Sequence, residues 1–188
     1  EEPPFLLIDG GRMVSLFGDY QGRARVVIEL MNQMGYDAAG IETSELFYGV
    51  AGSRILQSAA SFPLLSASVD SAGKPAFVLS MSKKVGAVTA AVVSITDSTG
   101  IDRIGETRVQ DFTLIPPEKA MERALGSISG KPAFLIVLST LEPARNEEIL
   151  RKFPQIDLIV ETNGNRMYDT PKVSPDGVIV APGFAGQF

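Results

Sequence analysis

The 188-residue sequence predicts an α/β fold in a single domain. Short apolar segments rich in β-branched residues alternate along the chain with segments whose apolar residues recur at helical spacing. This alternation of strands and helices is typical of sheets with helices packed on them. A hydrophobic content of 45% is enough for one core in a chain of this length, whereas two complete domains would be crowded.

Six apolar segments are predicted to be buried strands, because each is short and bounded by turn residues. They are 5–8, 62–65, 87–95, 133–138, 156–160 and 178–180. The stretch 70–75 is predicted to be a turn, and 77–88 a hairpin that reverses at Lys83-Lys84. Residues 94–111 are polar and contain glycine, so a long surface loop is expected there.

Four helices are predicted between the strands from apolar residues three or four positions apart. The first covers 22–34 and ends at Gly35; its apolar face carries Ala24, Val27, Ile28, Leu30 and Met31. The other three cover 49–60, 117–128 and 143–153. Pro143 supports the start of the last helix, because proline suits the first turn.

The charge pattern argues against nucleic acid as a partner. The chain has 17 basic and 22 acidic residues, a net charge of −5, and no basic run longer than Lys83-Lys84. Nucleic-acid binding needs a stripe of cations that neutralises phosphates. No membrane span is expected either, because the longest apolar stretch, 85–95, is short and interrupted by Gly86, Thr89 and Ser94.

The chain contains neither histidine nor cysteine. Disulfides, thiolate catalysis and cysteine-based metal sites are therefore excluded, and the commonest transition-metal ligand and proton shuttle is missing. Ser44 and Ser139 have no imidazole to activate them as nucleophiles. Gly10-Gly11 lacks the spacing and the lysine of a phosphate-binding loop, so a tight strand exit is predicted there.

Several sequence segments resemble motifs in the catalytic domain of the 5'-nucleotidase and UDP-sugar hydrolase branch of the calcineurin-like metallophosphoesterases. Residues 6–12 (LLIDGGR) are similar to its strand ending in Asp-Ala-Gly-Asp, and 27–38 (VIELMNQMGYDA) to its Met-Asn-x-Leu-Gly-Tyr-Asp-Ala turn. Residues 62–69 (FPLLSASV) resemble its Phe-Pro-Val-Leu-Ser-Ala-Asn-Val, and 156–160 (IDLIV) the strand before its Gly-Gly-His-x-His loop.

The resemblance covers nearly the whole chain and implies a calcineurin-like sandwich, in which two packed mixed β-sheets are flanked by helices. It also implies one domain over residues 1–188 that lacks the family's first motif strand and is cut short at its C-terminus. Localisation stays open in the sequence itself; the family resemblance alone suggests an exported protein, periplasmic or extracellular.

The resemblance ends at the residues that the family uses for catalysis. In the family, a carboxylate bridges two metal ions, Asn and His side chains complete their coordination, and a further His protonates the leaving group. The matching positions here hold Arg12, Thr43, Ser44, Thr140, Asn163 and Asn165, with Glu42 and Glu161 in place of two glycines.

This replacement implies a vestigial site with no catalytic residue, no bound metal and no cofactor. A guanidinium repels divalent ions, and hydroxyl and amide groups are weak ligands beside imidazole. The chain is then a degenerate 5'-nucleotidase-like domain, a pseudoenzyme that acts as a binding or structural module. Its partner would be another domain, a protein subunit or a small anionic or nucleotide-like ligand.

A different interpretation keeps the chain an enzyme. It would be a metal-dependent phosphoesterase with a rebuilt site, in which Asp9, Glu42, Glu45 and Glu161 hold Mg²⁺ or Ca²⁺, since these ions accept all-oxygen shells. The segment Asn163-Gly164-Asn165 is interpreted first as a turn, with a sugar- or anion-binding loop as the alternative.

Three charged residues at strand ends are expected to meet. Strands that end near 8, 41 and 160 should leave their sheets at one edge, which would bring Arg12 close to Glu42 or Glu161. The alternative is that all three side chains turn to solvent, as charges at loop ends usually do.

Overall fold

The helices of the protein follow the sequence pattern closely. A computed structural model describes residues 4–13, 20–97, 111–162 and 170–180. Within these ranges no helix has the length and apolar character needed to cross a bilayer. The helices are α1 (Tyr20–Met34), α2 (Thr43–Leu46), α3 (Gly49–Ala59), α4 (Pro117–Ser127) and α5 (Pro143–Lys152).

The described strands form three sheets. The first sheet is parallel, in the order β1-β2-β3, with β1 (Ile8–Asp9), β2 (Ala38–Gly40) and β3 (Leu64–Leu65). The second sheet is mixed, in the order β11-β12-β10-β9-β7-β6. Its strands are β6 (Ser80–Val85), β7 (Val88–Ile95), β9 (Phe134–Ser139), β10 (Leu158–Glu161), β11 (Lys172–Ser174) and β12 (Gly177–Val180). The third sheet contains β4 (Val69–Ser71), β5 (Lys74–Pro75) and β8 (Thr113–Leu114).

The first two sheets pack face to face and helices cover their outer faces. Ala38, Leu65, Val92, Ile136 and Leu138 form the buried cluster between the sheets. The neighbouring strand residues, which point the other way, pack under α1 and α3 on the first sheet and under α4 and α5 on the second. This confirms the predicted sandwich of two packed sheets flanked by helices.

Two sequence predictions in the middle of the chain need correction. Residues 70–75 are a hairpin of β4 and β5 rather than a bare turn, reversing at Ala72-Gly73, where both φ angles are positive. Lys83 and Lys84 lie within β6, and the chain reverses at Gly86 instead (φ 59°). Both lysines stand on an edge strand, where charge discourages pairing with another sheet.

The predicted surface loop begins later than residue 94. Ser94 and Ile95 complete β7. Thr96 is also buried, and its hydroxyl donates to the Ile41 carbonyl across the sandwich (2.7 Å). Residues 98–110 of the predicted loop lie outside the described part of the chain.

The predicted apolar face of α1 is wrong at one position. Ala24, Ile28 and Met31 are buried at helical spacing, but Leu30 is 53% exposed. Leu30 lies on the opposite side of the helix from Ile28, so the helical period that buries Ile28 turns Leu30 to solvent.

The Met-Asn-x-x-Gly-Tyr-Asp motif at residues 31–37 forms the end of α1 and the turn after it. Gly35 (φ 74°) ends α1 in a left-handed turn, in which the Gly35 N–H donates to the Asn32 carbonyl and the Tyr36 N–H to the Met31 carbonyl, 3.2 Å each. The Asn32 side chain donates to the Ala59 carbonyl and accepts from the Ser61 N–H, 2.8 Å each. The motif therefore fixes α1 against the end of α3.

Asp37 completes this turn by tying three segments together. One carboxylate oxygen accepts the Leu7 N–H (2.8 Å) and the other accepts the Lys83 ammonium. Its own N–H donates to the Leu7 carbonyl (2.8 Å), so Leu7 is held to β2 through both of its backbone groups.

Asp37→Ala should lower the free energy of unfolding by about 1–3 kcal/mol, because it leaves the half-buried Leu7 N–H without its acceptor. Lys83→Ala removes the partly exposed ion pair and the contact of the Lys83 ammonium with the Phe5 ring, and it should cost about 1 kcal/mol or less. Urea denaturation of both variants checks this. Equal losses would contradict the role assigned to Leu7.

Candidate functional site

The carboxyl ends of the parallel strands gather at one edge of the sandwich. β1 and β2 run parallel in the first sheet, as do β7, β9 and β10 in the second. The two sheets touch at this edge: a Cβ atom at Gly10 would overlap the Thr162 side chain, and one at Gly40 would lie 3.1 Å from Ser94 Oγ. The predicted convergence of the strand exits is confirmed.

Arg12 pairs with Glu42 at this edge. Arg12 Nε lies 3.0 Å from Glu42 Oε2, and the side chains are 52% and 8% exposed, respectively. Arg12 has a left-handed backbone (φ 64°), which is uncommon outside glycine and aims its side chain at the start of α2. The expected proximity of Arg12 and Glu42 is confirmed, and the alternative that their charges turn to solvent is wrong for Glu42.

The exit of β1 is a tight turn, as predicted for Gly10-Gly11. The Gly11 N–H donates to Asp9 Oδ1 (2.8 Å), and a Cβ at Gly11 would lie 3.2 Å from that of Glu42. Glycine is required here both by this close approach and by a φ of 109°. Burial raises the pKa of Asp9, and the hydrogen bond from Gly11 opposes this shift.

Two neighbouring carboxyl groups are buried at the start of α2. Glu45 is fully buried; its Oε2 accepts the Glu42 N–H (3.0 Å) and its Oε1 accepts the Ser44 hydroxyl (2.9 Å). Burial raises the pKa of Glu45 to about 7, and the nearby Glu42 charge adds to this shift. Burial also raises the pKa of Glu42, against the opposing effect of Arg12. Thr43 begins this helix and is half-buried.

A second buried network lies at the ends of β9 and β10. Ser139 Oγ donates to Asn146 Oδ1 (2.6 Å), and Asn146 Nδ2 donates to Glu161 Oε1 (3.1 Å). Thr140 Oγ1 accepts the Asp97 N–H (2.6 Å). Glu161 is also buried, so the expectation that its side chain turns to solvent is wrong.

Asn146 is the site residue that the sequence analysis missed. It is fully buried on α5, where its amide joins the Ser139 and Glu161 side chains and donates to the Leu141 carbonyl (3.3 Å). The sequence does contain a signal that could have identified Asn146. It is a polar residue on the apolar face of a predicted helix, three positions before Ile149.

The acidic side chains at this edge already contact protein donors. Asp9, Glu42, Glu45 and Glu161 each use a carboxylate oxygen for a protein donor. Among the described residues no three acidic side chains are grouped so that they could share an ion. The Mg²⁺ or Ca²⁺ site on these four carboxylates stays a prediction. Asn163 and Asn165 lie outside the described residues.

Chemically, the edge consists of carboxyl groups that already have partners. The Ser139 hydroxyl bonds to an amide and the Thr140 hydroxyl to a backbone N–H, so neither contacts a base. The Ser44 hydroxyl donates to the Glu45 carboxylate, but both residues are buried. Within the described residues, Thr162 Oγ1 is the buried side-chain oxygen that lacks a hydrogen-bond partner; it packs beside Gly10.

The buried Glu45 should make stability fall as pH rises. Between pH 4.5 and about 7 the folded protein keeps a proton on Glu45 that the unfolded chain has lost. The free energy of unfolding should therefore decrease over this interval, by up to about 3 kcal/mol, and level off above it. Denaturation at several pH values measures this slope.

Glu45→Gln should remove most of the slope, because the amide can accept the Glu42 N–H and donate to Ser44 Oγ without a charge. Glu29→Gln, at an exposed position on α1, is the matched control and should keep the wild-type slope. A Glu45→Gln protein with an unchanged slope would contradict the assignment.

Arg12→Ala should lower the free energy of unfolding by about 1–2 kcal/mol, because it removes the cation that offsets the charge of the buried Glu42 carboxylate. Adding Glu42→Gln should recover most of this loss. Arg12→Gly should be about 1 kcal/mol more stable than Arg12→Ala, because glycine accepts the positive φ. Thermal and chemical denaturation of the three variants provide the test; no loss in Arg12→Ala would refute it.

Comparison with known proteins supports the architecture. No protein-family model and no curated protein matches the chain. Among solved structures, the sulfate thiohydrolase SoxB of Thermus thermophilus, in complex with glycerol, aligns with a TM-score of 0.81 and 20% identity, over 96% of this chain and 34% of SoxB. A 5'-nucleotidase precursor, also from Thermus thermophilus, aligns with a TM-score of 0.74 and 20% identity, over 97% of this chain and 40% of the precursor.

The calcineurin-like phosphoesterase YfkN of Bacillus subtilis aligns with a TM-score of 0.72 and 16% identity, over 95% of this chain and 67% of that one. The present chain thus spans 34% and 40% of the lengths of SoxB and the 5'-nucleotidase precursor. Together with the two packed sheets and their outer helices, these alignments show that the chain has the calcineurin-like phosphoesterase fold found in 5'-nucleotidases and SoxB.

Proposed function

We propose that this chain is a catalytically degenerate phosphoesterase-like domain that acts as a binding or structural module. The observation that carries the proposal is the Arg12–Glu42 ion pair at the strand edge. By resemblance, Arg12 stands where a carboxylate would bridge two metal ions. A guanidinium that is permanently charged brings a cation to this position without any metal.

The surrounding chemistry supports the same proposal. Divalent ions in phosphoesterases lower the pKa of a bound water and stabilise negative charge on the phosphoryl group. Holding them takes anionic or imidazole ligands that are free to coordinate, whereas the described carboxylates at this edge accept hydrogen bonds from Gly11, Arg12, Ser44, Asn146 and the Glu42 backbone.

The alternative, a hydrolase with a rebuilt site, would need an acid or base that reaches a substrate. Glu45 has the pKa of a usable general acid, but its side chain is fully buried and bonded to Ser44 and to the backbone of Glu42. Contact between Glu45 and a substrate would require α2 to open. This arrangement favours the module over the hydrolase.

The partner of the module stays a prediction: another domain, a protein subunit or a small anionic or nucleotide-like ligand. The half-exposed Arg12 guanidinium is the described cation at the strand edge that an anion could meet. SoxB and the 5'-nucleotidase precursor are much longer than this chain, so a role within a larger exported assembly is part of the proposal.

The purified chain should carry no stoichiometric Zn, Mn or Fe. It should hydrolyse 4-nitrophenyl phosphate and 5'-AMP no faster than they hydrolyse in buffer without protein. Mg²⁺, Mn²⁺, Ca²⁺ or Zn²⁺ should not change this, because no described set of ligands is free to bind them. Elemental analysis and initial-rate assays measure both quantities.

Arg12→Asp is an informative companion variant, because it restores the carboxylate while the histidines remain absent. It should stay inactive. Metal-dependent turnover by the wild-type chain that disappears in Glu42→Gln or Glu161→Gln would overturn the proposal and establish the rebuilt-site hydrolase.

A further inference from the structure

The hairpin of β11 and β12 contains an exposed Asp-Gly dipeptide. Pro175 and Asp176 form its loop, because Ser174 pairs directly with Gly177. Asp176 is exposed, and within the described part of the chain its carboxylate makes no hydrogen bond or ion pair. The loop is held instead by the Asp176 N–H, which donates to Ser174 Oγ (3.3 Å), and by Ser174 Oγ, which donates to the Gly177 carbonyl (3.2 Å). The Asp176 carboxyl group can therefore rotate towards its own backbone.

The fold requires glycine at position 177. Its φ of 147° is one that other residues rarely adopt. A Cβ atom there would lie 3.0 Å from Leu150 Cδ2 on α5 and 3.3 Å from the Ile156 carbonyl oxygen. Aspartate suits the turn position before it. Because glycine has no side chain, it does not shield its backbone nitrogen from the preceding carboxyl group. Packing against α5 thus keeps a reactive pair of residues at this turn.

We propose that Asp176 is a modification site at which the backbone isomerises without an enzyme. The Gly177 backbone nitrogen attacks Cγ of the protonated Asp176 carboxyl group. A C–N bond forms, the N–H proton and the carboxyl hydroxyl leave together as water, and the product is a five-membered succinimide ring. Water then opens the ring at either carbonyl. Opening at Cγ restores aspartate, whereas opening at the main-chain carbonyl gives isoaspartate of the same mass.

The other Asp-Gly dipeptide of the sequence, Asp9-Gly10, is an internal comparison. Asp9 Oδ1 accepts the Gly11 N–H (2.8 Å), and Gly10 packs tightly against the Thr162 side chain. Forming a succinimide would require the Asp9-Gly10 peptide to turn within this contact. Burial raises the pKa of Asp9, which favours the protonated and reactive carboxyl group. Slower isomerisation at Asp9 would therefore reflect packing rather than protonation.

Isomerisation at Asp176 changes the geometry of the hairpin. In isoaspartate the main chain runs through Cβ and Cγ, so the loop gains one backbone atom. A two-residue loop fixes the register of its strands, and the longer loop no longer matches the pairing of Ser174 with Gly177. Among the described strands, β11 pairs with β12 alone. We expect β11 to detach while the rest of the sheet stays folded.

Trypsin separates the two dipeptides for measurement. The tryptic peptides 1–12 and 173–188 contain Asp9 and Asp176, respectively, and neither contains another aspartate or an asparagine. The whole chain is incubated in a mildly acidic buffer and digested at intervals. The isoaspartyl form appears as a second peak of equal mass and is identified by co-elution with a synthetic peptide. In the folded protein, peptide 173–188 should convert at least about tenfold faster than peptide 1–12.

Unfolding and a matched pair of variants complete the test. In guanidinium chloride the two peptides should convert at similar rates, because both dipeptides are then exposed. Asp176→Glu should abolish conversion of peptide 173–188, since its ring would be six-membered and forms less readily, whereas Asp9→Glu should leave that conversion unchanged. Amide exchange of the incubated protein should show a fast population in β11 that is missing from Asp176→Glu.

Four results would overturn the proposal. They are no conversion of peptide 173–188, equal conversion of both peptides in the folded protein, a difference between them that persists in denaturant, and unchanged amide exchange in β11 after conversion. The comparison of the two peptides uses the unaltered chain, so it stands whatever the variants do.

Discussion

The close approach of the two sheets at the carboxyl ends of their strands is the constraint on which the site depends. Gly10 and Gly40 leave no room for a Cβ atom: at Gly40 it would lie 2.9 Å from the Gly10 carbonyl oxygen. Little room is left for water between surfaces packed this closely. Buried polar groups beside this contact have partners within the protein in the Arg12–Glu42 pair and the Ser139–Asn146–Glu161 network, whereas Thr162 Oγ1 has none.

This constraint also bears on how the acidic side chains at the edge are stabilised. Buried carboxylates are costly unless donors or cations compensate them. Here each has a compensating group: the Arg12 guanidinium for Glu42, the Asn146 amide for Glu161, and a backbone N–H for Asp9 and for Glu45. These donors therefore hold the carboxylates in place through contacts within the protein.

The sequence was sufficient where local chemistry decides. Gly35 marks the end of α1, Pro117 and Pro143 mark helix starts, and the parallel order of strands predicts that Arg12 and Glu42 meet. It was insufficient where distant contacts decide. Lys83 and Lys84 look like a turn but fit an edge strand, Asn146 gains its role only through partners on other elements, and the third sheet joins β4 to the distant β8.

The charged edges of the second sheet have a consequence for association. β6 and β11 are the two edge strands of that sheet, and they carry Lys83, Lys84 and Lys172. Ammonium groups on an edge strand discourage the addition of a further strand. Merging of this sheet with the sheet of another molecule is therefore disfavoured at both of its edges.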